Sequence, residues 1–301
     1  MHRQTLIVAQ DGTGDFERVQ DAIEAIAPTS VARRDILIRP GMYRGPVVVP
    51  ADKARVRLLG DDAATTVLTG NRTARQIGPD GVELGMYRTP TVHVLADDFV
   101  AEGVTFENTA GEGGQALALS ICGDRARFRR CRFLGWQDTL YVERGRHHFV
   151  ECYIAGHCDY IFGGATAVFE RCEVHSLSAN YVTAASTPVE SEHGLVFLRC
   201  RFTDDGRSKA YYLGRPWRPH AAVAVVDCDL SGNINPAGWH NWNKPDSERT
   251  ARFCEYRCTG DGARVATRVG WSRQLTSEEA ERLTPPRILA GADGWNPLDW
   301  P

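Results

Sequence analysis

The sequence predicts an all-β chain wound as a parallel β solenoid, and three observations predict it. Cys131-Arg132-Phe133 leads to Asp138-Thr139-Leu140-Tyr141, and Cys152-Tyr153-Ile154 leads to Asp159-Tyr160-Ile161-Phe162; the cysteines lie 21 residues apart, and so do the aspartates. The phrase of a cysteine with an apolar residue two places on recurs at Cys172, Cys200 and Cys228, after intervals of 20, 28 and 28 residues, and Val104-Thr105-Phe106 opens it 27 residues before Cys131. From Asp35 onward, short β-rich runs alternate with turn residues. A fixed inward phrase with a variable interval is what stacked coils with unequal loops produce.

In chain order, a strand at residues 5–9 meets the turn Asp11-Gly12-Thr13-Gly14, and Asp15 is placed to cap a helix beginning at Phe16. Val19, Ala22, Ile23 and Ile26 give that helix one apolar face, suited to covering the open end of the first coil. Strands are expected at residues 36–38, 47–49, 56–59, 66–68, 92–94 and 100–106, and later at 181–183, 196–198, 210–213 and 223–226. Residues 238–246 read as loop, and Thr276 with Glu279 forms a capping box for a short C-terminal helix stopped by Pro285-Pro286. No linker rich in Pro, Gly or Ser divides the chain, so residues 1–301 read as a single domain.

Composition narrows the function. Of 301 residues 43% are hydrophobic, enough for a sizeable core. A net charge of −3 gives no basic balance to attract nucleic acid or an anionic membrane. The arginines at 125, 127, 129, 130 and 132, mostly alternate, read as the solvated outer face of a strand. No apolar run approaches the roughly 18 residues of a membrane helix. The N-terminus turns polar too soon for a signal peptide, which leaves a cytosolic protein or one whose leader has been removed. Nine cysteines without closely paired spacing, five of them in the repeated phrase, predict a buried ladder of free thiols rather than a zinc site or disulfide framework. Whether Cys254 and Cys258 pair stays open.

The repeat also predicts chemistry. Neighbouring strands of a parallel sheet lie about 4.7–4.9 Å apart, so Asp138 and Asp159, in one column, are expected roughly 5 Å from each other. Two carboxylates that close do not both ionise comfortably, which suits one to be a proton donor and the other a nucleophile. With residues 111–114 treated as an inserted loop, Gln115 falls in the same column one coil earlier. His147 and His148 are adjacent and face opposite ways, as do Cys158 and Asp159, so no metal site or thiol centre is expected. A Gly-x-Ser-x-Gly elbow is absent.

Four segments, Gln115-Ala116-Leu117-Ala118-Leu119, Gly135-Trp136-Gln137-Asp138-Thr139-Leu140-Tyr141, Asp159-Tyr160-Ile161-Phe162-Gly163 and Leu213-Gly214-Arg215-Pro216-Trp217, resemble in content and order those of the pectin methylesterases. The agreement extends from Val8-Ala9-Gln10-Asp11-Gly12 to the stretch at Phe253-Cys254-Glu255-Tyr256. The resemblance implies a single-stranded, right-handed parallel β-helix with a short N-terminal capping helix and a C-terminal helix and loop segment. It implies Asp159 as nucleophile, Asp138 as acid and base, Gln115 and Gln137 as oxyanion donors, and Arg215 as the residue holding the nucleophile. Tyr141, Phe162 and Trp217 would receive the sugar rings; Trp136 and Trp239 are kept outside the site.

The substrate implied is pectin or a methylated oligogalacturonide, attacked by a monomeric enzyme with neither metal nor cofactor, in a family that is mainly secreted. Carboxylates so spaced also suit a retaining glycoside hydrolase, and a noncatalytic carbohydrate-binding solenoid is a third possibility. The chain departs from the family pattern at Gly41-Met42-Tyr43-Arg44-Gly45, at Ser120 and at Tyr160.

Overall fold

Parallel strands make up nearly all the regular structure of the computed structural model, which describes residues 5–29, 32–206 and 210–300. The chain divides into two units, Met1–Tyr141 and Val142–Pro301, each a stack of coils.

In the first unit, strands Thr5–Val8, Arg34–Ile38, Val56–Gly60, Val100–Glu102 and Ala126–Arg129 pair in that order to form one face. Gly41–Arg44, Thr66–Gly70, Thr105–Asn108 and Arg132–Leu134 stack as a second, and Val47–Val49, Val92–Val94 and Leu119–Ile121 as a third. Three faces per coil are the cross-section of a parallel β-helix. The expected strand at 100–106 is two strands, because Gly103 takes φ 64° and turns the chain from the first face to the second. Phe106 and Phe133 stack at 5.4 Å inside the coil, and Phe99 and Phe128 pack beside them.

The helix that covers the first coil runs Val19–Glu24, three residues later than expected. Asp15 is already in use: its carboxylate accepts the Ile7 N–H at 2.9 Å, and Phe16 forms a bridge with Val8. Arg18 therefore stands at the N-cap, without a side-chain cap bond. Val19, Ala22 and Ile23 are buried, and Gln20 accepts the Val48 N–H at 2.8 Å, tying the cap to the coil beneath it. The arginine cluster is not simply a solvated face. Arg125 forms a bidentate pair with Asp98, Arg129 and Arg130 both bond Glu102, and Arg127 is buried. Parallel stacking brings Arg125, Arg129 and Arg130 to acids one coil earlier, which sequence alternation alone does not reveal.

The second unit repeats the plan. Arg146–Val150, Thr166–Glu170, Leu195–Leu198, Ala222–Val226, Arg252–Tyr256 and Arg273–Gln274 form one face, with Phe149, Phe169 and Phe197 stacked at 4.6 and 4.7 Å. The other two faces merge in the long strands Tyr153–Gly163 and Glu173–Ala185, then separate into Arg201–Asp204 with Asp229–Leu230 and, apart from them, Tyr212–Pro216. The capping box is present, with Thr276 Oγ1 accepting the Glu279 N–H at 3.2 Å and Glu279 accepting the Thr276 N–H at 2.8 Å. Pro285 and Pro286 do more than stop this helix. They open a second one, Pro285–Ile288, where a missing N–H costs nothing, and Ile288 and Leu289 pack on Val168, Val196 and Leu198.

One corner recurs in both units. The residue before each rung of the ladder is left-handed: Gly103 and Arg130 in the first, and Glu151, Arg171, Arg199, Asp227 and Arg257 in the second, with φ between 46° and 64°. Such a backbone costs a non-glycine residue about 1 kcal/mol or more, and each corner bears it for the sharp change of direction it allows. Ion pairs between successive corners, Arg171 with Glu151 at 3.3 Å and Arg257 with Asp227 at 2.6 Å, lie outside the turn.

All nine cysteines are free. Cys131, Cys152, Cys172, Cys200 and Cys228 are buried, as expected. Cys258 adds a sixth rung, since the Thr259 N–H reaches the Cys228 carbonyl at 2.8 Å. Cys254 lies on a different strand face, with its Sγ against the Val223 carbonyl. Burial pushes the thiols of Cys254 and Cys258 up to about 12.

Candidate active site

Asp159 lies within the strand Tyr153–Gly163, where the register against Glu173–Ala185 shifts on both sides of Cys158. Its backbone is left-handed, φ 49°, and its side chain is buried at 5% exposure. Arg215, on Tyr212–Pro216, reaches it with two hydrogen bonds, Nε to Oδ1 at 2.9 Å and Nη2 to Oδ2 at 2.6 Å. The same Nη2 stands 3.7 Å from the Cys158 Sγ. Cys158 and Asp159 thus both touch Arg215, although neighbours in a flat strand diverge; the bulge and the left-handed turn at Asp159 bring them to one side.

Burial pushes the Asp159 carboxyl above its ordinary value, and the two Arg215 hydrogen bonds and charge pull against that rise. Arg215, held by the carboxylate, stays firmly protonated. Its guanidinium lies between two rings, with Tyr181 centred 3.8 Å from Cζ and Trp242 3.5 Å. His240 packs against Tyr181 and Tyr212 at 5.4 and 5.2 Å. Phe162 is buried with its ring 5.7 Å from that of Trp217, which is half-buried.

Two glycines of the motifs are explained by close approach. A Cβ on Gly163 would lie 1.9 Å from the Val142 carbonyl oxygen, and one on Gly214 would lie 1.9 Å from Thr183 Oγ1. Gly214→Ala is therefore expected to displace the strand that carries Arg215 and to cut turnover about tenfold to a hundredfold. Thr183→Ala in the same chain removes the tightest contact, leaving the residue-183 carbonyl oxygen at 2.9 Å, and should restore part of the loss, as read by steady-state rates and thermal melts. An unaffected single variant would show that Arg215 does not depend on this approach.

The first unit holds Gln115, Gln137, Asp138 and Tyr141. Asp138 shares the backbone of Asp159, with φ 65° and 4% exposure. The Ala116 N–H donates to the Gln137 carbonyl at 3.1 Å, while those of Ala118 and Leu119 both reach the Thr139 carbonyl at 2.9 and 3.2 Å. The first of these bonds sets Ala116, rather than Gln115, level with Asp138, so Gln115 stands one position ahead of its expected place in the column. Both glutamines are half-buried, and the Gln115 amide lies 3.9 Å from Met86 Sδ. Tyr141 is buried, but Tyr87, absent from the sequence expectation, is 61% exposed and packs on it at 5.9 Å.

Tyr181, Trp242 and His240 around Arg215, and Tyr87 beside Tyr141, are thus neighbours of the candidate residues that the sequence expectation lacks. The Trp239-x-x-Trp242 spacing was the one available signal, and it did not say which tryptophan turns outward. Trp239 is core, 1% exposed and 4.6 Å from Phe253. Tyr160, a departure from the family pattern, is accommodated by a hydrogen-bond partner for its hydroxyl, Ser176 Oγ at 2.9 Å. His148 meets Glu170 at 3.1 Å and the Pro297 carbonyl at 3.4 Å.

The Pectinesterase family model matches residues 5–292. Pectinesterase 31 of Arabidopsis thaliana is 44% identical over 279 residues, which cover 91% of this chain and 88% of that protein. Among solved structures, the pectin methylesterase from carrot superposes with a TM-score of 0.90 at 35% identity, covering 96% of this chain and 94% of its own. A pectin methylesterase in complex with a hexasaccharide gives 0.85 at 28% identity, covering 97% and 98%.

Proposed function

The chain belongs to the pectinesterase family, and from that premise we propose that Asp159 and Asp138 divide its chemistry between them. The protein is a carboxylic ester hydrolase that removes methyl esters from pectin. Residues 1–301 work as one catalytic domain, a reading supported by a family match that runs across both units.

An Asp159 oxygen attacks the C6 carbonyl carbon of a methylated galacturonosyl unit. The amide N–H groups of Gln115 and Gln137 receive the oxyanion. Collapse of the tetrahedral species breaks the bond to methoxide, Asp138 gives it a proton, and methanol leaves. The acyl-enzyme is a mixed anhydride. Asp138, now a carboxylate, takes a proton from water, and the hydroxide formed attacks the same carbonyl carbon to free Asp159 and the galacturonate.

What carries this reading is the bidentate Arg215–Asp159 pair, which keeps a buried carboxylate charged and aims it. The shared left-handed backbone of Asp138 and Asp159 supports their equivalence in the repeat. A retaining glycosidase has no need of two neutral amides and a fixed guanidinium, which suit an oxyanion better than an oxocarbenium ion. The test measures methanol and new reducing ends from highly methylated pectin and from short methylated oligogalacturonides, using the parent, Asp159→Ala and Asp138→Ala. Methanol from the parent alone is expected; full activity in either variant, or reducing ends in place of methanol, would overturn the assignment.

The raised Asp159 carboxyl sets the pH dependence. The nucleophile works ionised, so kcat/KM falls as pH drops through the Asp159 pKa, which burial raises above that of an ordinary aspartate. Arg215→Ala removes the main opposing charge and should move that limb to still higher pH. A limb unmoved in the variant, measured by methanol release against pH, would separate Arg215 from the ionisation of Asp159.

A further inference from the structure

We infer that His240 is a positioning residue for the Arg215–Asp159 pair, acting through both rings that enclose the guanidinium. The inference rests on the esterase function proposed above. Trp242 and Asn243 are consecutive non-glycine residues with left-handed backbones, φ 60° and 55°. Two such residues in succession are costly, and the strain persists only where neighbours over-determine it. His240 supplies one constraint, its Nδ1 accepting the Trp242 N–H at 3.0 Å; Asn241 supplies another, its Oδ1 accepting the Asn243 N–H at 2.9 Å.

The histidine is itself fixed to the strand that carries Arg215. Its N–H donates to the Gly214 carbonyl at 3.0 Å, next to Arg215 in sequence, and Trp239 bridges to the same glycine. Its imidazole rests on Tyr181, one plate of the guanidinium sandwich, while its Nδ1 holds the main chain of Trp242, the other plate. One side chain therefore sets the spacing of both plates. An imidazole accepting at Nδ1 is neutral, with its proton on Nε2. Arg215 and Tyr181 face it from neighbouring strands, Tyr212 packs on its ring, and Lys244 lies across the Trp242 ring, 5.0 Å from its centre. Burial and the Arg215 charge both lower the histidine's proton affinity, so the neutral acceptor form is favoured. Protonation at Nδ1 would turn the acceptor into a donor facing another N–H and release the turn.

An asparagine at this position can form the same bond, because an Asx turn places its side-chain oxygen against the N–H two residues on. The test uses the full chain with parent, His240→Ala, His240→Leu and His240→Asn, comparing kcat, KM and the acid limb of kcat/KM for methanol release, with thermal melts alongside. His240→Ala and His240→Leu are expected to lower kcat about tenfold to a hundredfold, with little change in KM, and to shift the acid limb to higher pH. His240→Asn, which accepts the bond and cannot be protonated, should recover most of kcat and bring the limb back to the parental position or below it. A purely structural role predicts a lower melting temperature with kcat and pH limb unmoved, and that result, or failure of asparagine to rescue, overturns the proposal. A parent that releases no methanol overturns the reaction and the positioning role together; an active parent with an indifferent His240→Ala removes only the latter.

Discussion

Asp159→Asn is expected to reduce kcat for methanol release by about ten-thousandfold or more, the scale seen when a nucleophile acting as part of a unit is lost. Asparagine is the informative substitution because it tolerates the left-handed backbone at φ 49° and keeps one oxygen to accept from Arg215. The fold around it should survive, with a melting temperature near that of the parent. What it lacks is a charged oxygen to form the acyl bond. If the parent forms a mixed anhydride, brief incubation with methylated substrate followed by hydroxylamine should trap it, and the variant should yield no adduct. A variant retaining about a tenth of parental turnover would point to direct attack by water and would remove Asp159 from the nucleophile's role.

Glu255→Ala is expected to be the most destabilising single change outside the apolar core. Glu255 and Arg268 are 2% and 4% exposed and joined by two hydrogen bonds of 2.8 and 3.0 Å, and Trp239 Nε1 donates to the same carboxylate at 3.2 Å. Removing the acid leaves a buried guanidinium without its counter-charge, a loss of about 3–5 kcal/mol. For a domain of this size that corresponds to a fall in melting temperature of about 10 °C. Replacing both partners, Glu255→Met with Arg268→Met, should recover much of the loss, because burying apolar side chains carries no uncompensated charge. A single variant melting within about 2 °C of the parent would show that water or a rearranged carbonyl satisfies Arg268. Calorimetry or fluorescence melts decide it, and the position of Trp239 behind the loop of Trp242 makes a parallel loss of turnover expected.

The coils were legible in the sequence because each rung repeats a buried side chain at a fixed place, and burial is what selects residue type. The 27-residue interval from Val104 to Cys131 and the later 20 and 28 match observed pairings of Thr105 with Arg132, Tyr153 with Glu173 and Glu173 with Arg201. Asp159 and Arg215 were legible as a pair because their motifs are long and their chemistry complementary. The helix start was not, since Asp15 can cap a helix or bond Ile7 and only the tertiary fold selects between them. Gln115 lies one residue ahead of its expected place because the insertion before the acid column is one residue longer than the loop at 111–114, and the run of Ala and Leu that follows carries no mark of register. Trp242 and His240 were hidden for a further reason: a loop stabilised by its own side chains lacks periodicity to read.

The left-handed corner before each rung assigns separate duties to two parts of every turn. The corner is settled locally, by one residue and its neighbours, and recurs unchanged whether the next rung lies 20 or 28 residues away. Length added or deleted on the far side leaves the corner as it was. Within each unit the connections can thus be recut while the strands that follow the corners keep their course, and an experimenter seeking altered specificity should vary the connections and leave the corners alone.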